Sequence, residues 1–280
     1  GRYPDTLYRQ SAHEEKCKRK AGILAMILAI DIGNTNIVIG CIDGKECLFV
    51  ERLSTVRTKT ELEYAFDVKN VLDIYHIKRT DIEGGIISSV VPQITTVAKL
   101  AVEKILKKEV LVVGAGIKTG LNIRIDNPAQ LGSDLVVDSV AGIAEYPVPL
   151  LIFDMGTANT VCVIDKNKNY IGGMIYPGIG VSLDSLTAHA SQLGGISLEA
   201  PEHIIGKNTA ECMKSGTIYS AAAAIDGIID RLQEELDGQA TVIATGGLAK
   251  KIVPYCRRKV ILDDNLLLKG LAVIYHKNRK

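Results

Sequence analysis

The segment Ile30-Asp31-Ile32-Gly33-Asn34-Thr35-Asn36-Ile37-Val38 returns, 123 residues later, as Phe153-Asp154-Met155-Gly156-Thr157-Ala158-Asn159-Thr160-Val161. Each copy follows an apolar run, Ile27 to Ile30 or Leu150 to Phe153. Each leads into another apolar run that ends at an aspartate, Asp43 or Asp165, in an Asp-Gly or Asp-Lys-Asn turn. Apolar run, tight polar turn and apolar run read as two strands joined by a short loop. A glycine between an aspartate and small hydroxyl or amide residues lets backbone approach a ligand closely, and the N–H groups of such a turn suit phosphate oxygens. The aspartate at the strand end suits a divalent cation, held directly or through water. One such turn occurs in many plain hairpins, but two in matching contexts, about half a chain apart, point to a duplicated unit.

Outward from these turns the pattern repeats. In the first half, Ile27–Ile30, Ile37–Ile42 and Cys47–Leu53 read as an antiparallel meander. A helix over Glu61–Ile74, a strand over Gly85–Val91, a helix over Ile94–Leu106 and a strand over Val110–Val113 follow. In the second half, Leu150–Asp154, Thr160–Ile164 and Tyr170–Tyr176 repeat the meander. Helices are expected over Val181–Ala190, Thr209–Asp237, broken at Ser215-Gly216, and Leu266–His276, with a strand over Thr241–Thr245. Residues 117–147 join the halves. Within them Leu135–Tyr146 reads as a helix with Asp134 at its N-terminus, where a carboxylate is ordinarily a cap. Residues 1–25 read as an extension, with Met26 as a start, and the subdomains as 26–146 and 147–280.

Composition narrows the function classes. Lys+Arg 33 against Asp+Glu 32 leave a formal charge of +1 in 280 residues, so no basic field draws the chain to nucleic acid or anionic lipid. No apolar run approaches the ~20 residues of a membrane helix, and the basic residues before Ala21–Ile30 lead into a polar motif rather than a signal cleavage site. Cys17, Cys41, Cys47, Cys162, Cys212 and Cys256 form no CxxC pair and are expected as buried thiols in a reducing cytoplasm. Neither they nor the five histidines have zinc-ligand spacing.

Other glycine-rich turns carry less. Gly114-Ala-Gly116-Ile-Lys-Thr-Gly120 follows a strand but opens no helix on which a pyrophosphate could rest, and no GxxxxGK[ST] loop is present. Tyr176-Pro177-Gly178, Gly206-Lys207-Asn208-Thr209 and Thr245-Gly246-Gly247 all stand at expected strand-to-helix or loop-to-helix turns, a placement compatible with one cleft.

A duplicated domain that opens each half with Asp-x-Gly-(Asn/Thr) and closes with Thr-Gly-Gly resembles the actin, hexokinase and Hsp70 ATPase superfamily. Within it, ordered motifs resemble the type III pantothenate kinases, the Bvg accessory factor-like family. They run from AIDIGNTNIVIG through Ser88–Pro92, Asn127–Asp134, DMGTANT, Gly172–Gly178, IGKNT and TGG to Leu266–Leu271. The resemblance implies an α/β fold of duplicated ribonuclease H-like domains, mixed sheets flanked by helices. It implies transfer of the ATP γ-phosphoryl group to pantothenate, giving 4′-phosphopantothenate, the first step of coenzyme A synthesis. By motif position, Asp31, Ile32, Gly33, Asn34, Thr35, Asn36, Ile37, Val38 and Thr157 fall on ATP-binding positions, with Asp31 near Mg²⁺. Asp154 falls on the aspartate that holds a monovalent cation, K⁺ or NH₄⁺, and Asp134 on the general base. Ile125, Gly132, Ser133, Asp134, Leu135 and Thr209 fall on substrate positions, and the family implies a cytoplasmic homodimer with the acceptor site at the subunit interface.

Three positions depart from the family pattern. Leu135 stands where an arginine follows the base, Ile125 where a tyrosine precedes the Asn-Pro turn, and Thr187-Ala188-His189-Ala190-Ser191 replaces Thr-Ala-x-Leu-Pro. They leave two alternatives beside the kinase: a paralogue for another small alcohol, and a nucleotide-binding regulatory protein without turnover. Arg124 is the residue that could restore a guanidinium beside the base.

Overall fold

The computed structural model describes residues 26–190 and 192–279, so the extension read at residues 1–25, Cys17 included, lies outside the described residues. β1 (Met26–Ile32), β2 (Asn36–Asp43), β3 (Glu46–Ser54), β4 (Ile82–Ser89) and β5 (Val110–Val112) form one sheet in the order β3-β2-β1-β4-β5. The first three strands are an antiparallel meander, and β4 and β5 add parallel to β1. Two helices supply the crossovers that parallel strands require. α1 (Glu61–Ile74) starts at a reciprocal capping box between Thr60 and Glu63. α2 (Pro92–Leu106) starts on a proline that needs no N–H partner.

The second half repeats this plan. After β6 (Asn122–Ile123) and α3 (Ser133–Glu145) come β7 (Leu150–Met155), β8 (Ala158–Ile164), β9 (Asn169–Pro177), α4 (Ile179–His189) and α5 (Thr209–Glu235). β10 (Thr241–Thr245), α6 (Ala249–Ile252), β11 (Ile261–Leu262) and α7 (Leu266–Asn278) complete the chain. The sheet order is β11-β10-β7-β8-β9-β6, so β7 to β11 take the places of β1 to β5 and β6 extends the edge. Five of these elements, β5, β6, α6, β11 and α4, are short or offset, and β6 and β11 carried no pattern long enough to read.

Alternation along the strands places the layers. Leu28, Ile30 and Ile32 of β1 pack with α1 and α2, whereas Ile27 and Ala29 face α3 and α7. Leu151, Phe153 and Met155 of β7 pack with α5 and α6, whereas Leu150 and Ile152 face α3. α3 and α7 therefore lie between the two sheets, in contact so close that a Cβ on Gly270 would come within 2.2 Å of the Val137 carbonyl oxygen. α7, from the last residues of the chain, packs on β1 and β4 of the first sheet.

The repeat is not ungapped, although the two sequences align without a gap. Four residues separate the cross-strand pair Ile32 and Ile37, but three separate Met155 and Asn159. Beyond the turn the true offset is 122. The register irregularity at Cys41/Ile42 recurs at Val163/Ile164 by that same offset. Because side chains alternate with period two, one residue less exchanges the faces of β8 relative to the alignment. Thr160 and Cys162 point inward where Val38 and Gly40 do, and Asn159, Val161 and Val163 point outward.

Three local expectations change. α5 runs unbroken through Ser215 and Gly216, because the buried Ser215 hydroxyl is satisfied by the Ile204 carbonyl; a lone helical glycine costs only about 1 kcal/mol. Asp134 is not the cap of α3: Gly132 holds that position, and Asp134 sits in the first turn accepting the Leu135 N–H at 2.9 Å. Of the thiols, Cys41 and Cys162 are buried, Cys47 and Cys256 half-buried, and Cys212 exposed on α5.

Candidate active site

β1 and β7 each carry an aspartate at the end of the inner face, Asp31 and Asp154, and the first turn of α3 brings Asp134 to both. Burial pushes the Asp31 carboxyl up to about 7, with Asp134 and Asp154 adding to the effect and the Ser88 hydroxyl opposing it. Burial pushes Asp154 up to about 6, with Asp134 adding and Arg52 opposing. Asp134 is raised by burial, against backbone N–H groups that favour its charge. Three residues placed by motif on separate roles thus form one group of interacting carboxyls.

The two turns meet above them. Thr35 Oγ1 lies 3.1 Å from Thr157 Oγ1 across 122 residues. The first turn is closed by the Gly33 N–H on the Asn36 carbonyl at 2.9 Å and braced by Thr55 Oγ1 on the Gly33 carbonyl at 2.7 Å. Arg57 Nη2 donates to Asn34 Oδ1 at 3.3 Å. Ile32 and Ile37 point into the outer core, so only their backbone is available to the turn, while Val38 stands on the inner face opposite Arg52. Gly246, at φ +90°, presses against Asp154 and Met155; a Cβ there would come within 2.4 Å of Asp154 Oδ1. A Cβ on Gly132 would likewise run into Asp134 Oδ1. Ser133 Oγ lies 3.1 Å from Ser88 Oγ and accepts the Ser89 N–H at 3.3 Å, tying the start of α3 to the end of β4.

Thr209 does not join this group. It opens α5 on the rim of a separate cavity of about 640 Å³, lined by Tyr176, Ile179, Leu183 and Met213 and floored by outward-facing Asn159. Ile125 and Leu135 pack into one apolar cluster with Leu131, on the inner face of the second sheet. Arg124 points elsewhere: it is exposed and acts on Asp165 at the β8–β9 turn, so it does not restore a guanidinium beside Asp134.

Three residues of the site were not read from the sequence. Ser88 and Arg52 follow from strand alternation once the inner face is known. Arg52 comes from the first sheet to act on Asp154 of the second, and a Cβ on Gly247 would meet its Nη1 at 3.0 Å. Asp138, one helical turn beyond Asp134, is fully buried, and neither of its carboxyl oxygens has a hydrogen-bond partner. Burial, then Asp154, Asp134, Asp31 and Asp263, hold its carboxyl well above the usual range.

Among the described residues no three carboxylate, imidazole or thiolate groups converge as a metal chelate. The donors present are hard oxygens, buried and short of cations, which fits an ion held in part by water and phosphate rather than by a protein cage. A consequence concerns pH. Carboxyls raised above their unfolded values bind protons more tightly in the folded state, so stability is lost as pH rises from about 4 through 7. For Asp154 alone, the rise from 3.8 to about 6 is on the order of 3 kcal/mol. Without nucleotide or potassium, the melting temperature is expected to fall between pH 5 and pH 7.5; a flat or rising profile would contradict this electrostatic picture.

Two sheets of one topology, each opening on an aspartate-glycine turn and facing a shared acidic cleft, define a protein of the actin-like ATPase fold. Solved structures agree on the fold. An activator of 2-hydroxyisocaproyl-CoA dehydratase from Clostridium difficile, with bound ADPNP, matches at TM-score 0.50 and 14% identity, covering 91% of this chain and 98% of that one. The ethanolamine utilization protein EutJ from Carboxydothermus hydrogenoformans matches at TM-score 0.50 and 14% identity, covering 89% of each.

Residues 27–231 match the family model described as type III pantothenate kinase. A type III pantothenate kinase from an Exiguobacterium species is 46% identical over 255 residues, 91% of this chain and 100% of that protein. Another, from Bacillus cytotoxicus, is 45% identical over 254 residues, 90% and 97% of the respective chains. The chain belongs to the type III pantothenate kinase family and is an ATP-dependent kinase.

Proposed function

We propose that the chain transfers the γ-phosphoryl group of ATP to the primary hydroxyl of pantothenate in the cleft between its two sheets, with Asp134 as general base. The observation that carries this is the placement of Asp134, between two phosphate-type turns and with a carboxyl whose proton affinity burial has raised. In phosphoryl transfer the protein's work is mostly positioning and charge stabilisation. The N–H groups from Gly33 to Asn36 and the Thr35 and Thr157 hydroxyls take the phosphate oxygens. Asp31 would hold Mg²⁺ through water, and that ion, when bound, neutralises phosphate charge. Asp134 accepts the hydroxyl proton as the oxygen attacks, and a carboxyl of raised pKa is the better base for an alcohol whose proton leaves late. Ser133, fixed by Ser88, orients the start of α3 beneath the acceptor. The division near residue 146 then separates two halves that each present one turn.

Asp154 is assigned to a monovalent cation, K⁺ or NH₄⁺, on the strength of its burial and its one opposing cation, Arg52. The homodimer is supported by apolar side chains that β9 and α4 leave exposed: Ile171, Met174, Ile175, Val181 and Leu186. A second copy on that face would also give Thr209 a route to an acceptor site that its own chain keeps at a distance. A cytoplasmic location is in keeping with the metabolic family; among the described residues, no helix is long and apolar enough to cross a membrane.

The test is transfer from ATP with Mg²⁺ to pantothenate, with and without potassium. Potassium-dependent 4′-phosphopantothenate is the expected product. A second reading, a kinase for another small alcohol, is favoured by the apolar packing of Ile125 and Leu135. Turnover of other primary alcohols in a panel, with none of pantothenate, would select it.

A further inference from the structure

The inner face of the second sheet holds oxygens that nothing in the fold satisfies. Asp138 is fully buried with both carboxyl oxygens unpartnered, and Thr160 Oγ1 is buried and unpartnered as well. Thr160 stands directly across the β7–β8 pair from Asp154, so the two share the inner face. α3 lies against that face: Cys162 Sγ reaches the Leu135 carbonyl, and Gly142 is pressed on Leu150 and Ile152. Asp138 lies between these two contacts on α3, and the charge that acts on it most strongly is Asp154. A buried polar group without a partner is rare, and a buried carboxyl beside another carboxyl is costly unless something positive stands between them. Asp263, the other buried aspartate of this layer, shows the contrast: Lys269 Nζ at 2.6 Å and Tyr146 Oη at 2.8 Å satisfy it.

We propose that Asp138 is the second carboxylate of the cation site assigned above to Asp154, with Thr160 Oγ1 as a neutral ligand between them. The proposal rests on that cation reading and extends it to a residue on another element. The ion then joins α3, which carries Asp134, to the second sheet, which carries Thr157. Cation binding and the placement of the base become one event. Two carboxylates and a hydroxyl are an oxygen set for an alkali-metal or ammonium ion, completed by backbone carbonyls or water.

The experiment is potassium titration of the whole chain, followed by calorimetry and by melting temperature, with choline chloride holding ionic strength constant. Wild type, Asp138→Asn and Asp154→Asn are compared. The expected result is binding by wild type, at least about 10-fold weaker binding by Asp138→Asn, and loss of potassium-dependent stabilisation in both variants. Wild-type affinity in Asp138→Asn, with loss in Asp154→Asn, would overturn the role of Asp138 and leave the cation reading standing. A wild-type chain indifferent to potassium would overturn both. A thallium(I) soak of wild-type crystals makes the same decision without a variant. An anomalous peak within ligand distance of Asp138 and Asp154 supports the proposal, and a peak on Asp154 beyond reach of Asp138 refutes it.

Discussion

Asp134→Asn is expected to lower kcat by ~10²-fold or more while ATP affinity stays within about two-fold of wild type. The side chain keeps its shape, and the amide oxygen still accepts the Leu135 N–H that Asp134 Oδ1 now accepts at 2.9 Å, so α3 starts as before. What is lost is a group able to take a proton. The nucleotide turns are built from other elements, and their mutual contact at Thr35 and Thr157 does not involve α3. Removing one of the interacting carboxylates also lowers the electrostatic pressure on Asp31, Asp138 and Asp154, so the variant should melt higher than wild type at pH 8. Rate measurements with pantothenate, beside ATP binding by calorimetry, check the first part. Wild-type turnover would remove Asp134 from the mechanism.

The second large effect is expected from Asp154→Ala, which should abolish potassium activation and most turnover together. Asp154 touches the site from three sides. Gly246 is packed against its Oδ1, Arg52 from the first sheet acts on its charge, and Asp134 is close enough to raise its proton affinity. Alanine leaves Arg52 without its partner in a buried cleft, and Gly246 without the atom its φ of +90° accommodates. The loss in kcat should persist at saturating potassium, whereas a variant that merely weakened the ion would recover there. Unaltered activation by potassium would end the assignment.

Much of this fold could be read directly, because its signals are local. The helix over Glu61–Ile74 is bounded by its own capping box, and Thr241–Thr245 is a short apolar run that ends on Gly246-Gly247. The duplicated turns declared themselves by likeness of composition. Features that depend on what lies opposite stayed hidden. β6 and β11 are two-residue strands made by their neighbours rather than by any pattern of their own. Asp138 reads as one polar residue on an amphipathic helix, and only the packing of α3 between two sheets, assembled from segments over 100 residues apart, turns it into a buried charge. Thr209 carries the family motif yet falls on the far side of the second sheet, since no rule of spacing tells which face a loop will reach. The departures at Ile125 and Leu135 looked independent in sequence and prove to be neighbours in one cluster.

The missing residue in the second turn has a consequence for anyone who would recombine the halves. Turn length here carries no parity, because each turn joins two residues that stand directly opposite. Grafting the four-residue Gly33–Asn36 loop in place of Gly156–Ala158 would keep Met155 opposite Asn159, as Ile32 stands opposite Ile37, and leave the faces of β8 as they are. One residue inserted within β8, between Asn159 and Thr160, would instead carry Val161 onto the inner face, and Thr160 and Cys162 into an apolar layer under α5. Within the strand, edits by two residues preserve the molecule's sense of inside and outside, and edits by one reverse it. The two turns could thus trade places, whereas the strands beyond them tolerate no single-residue change of length.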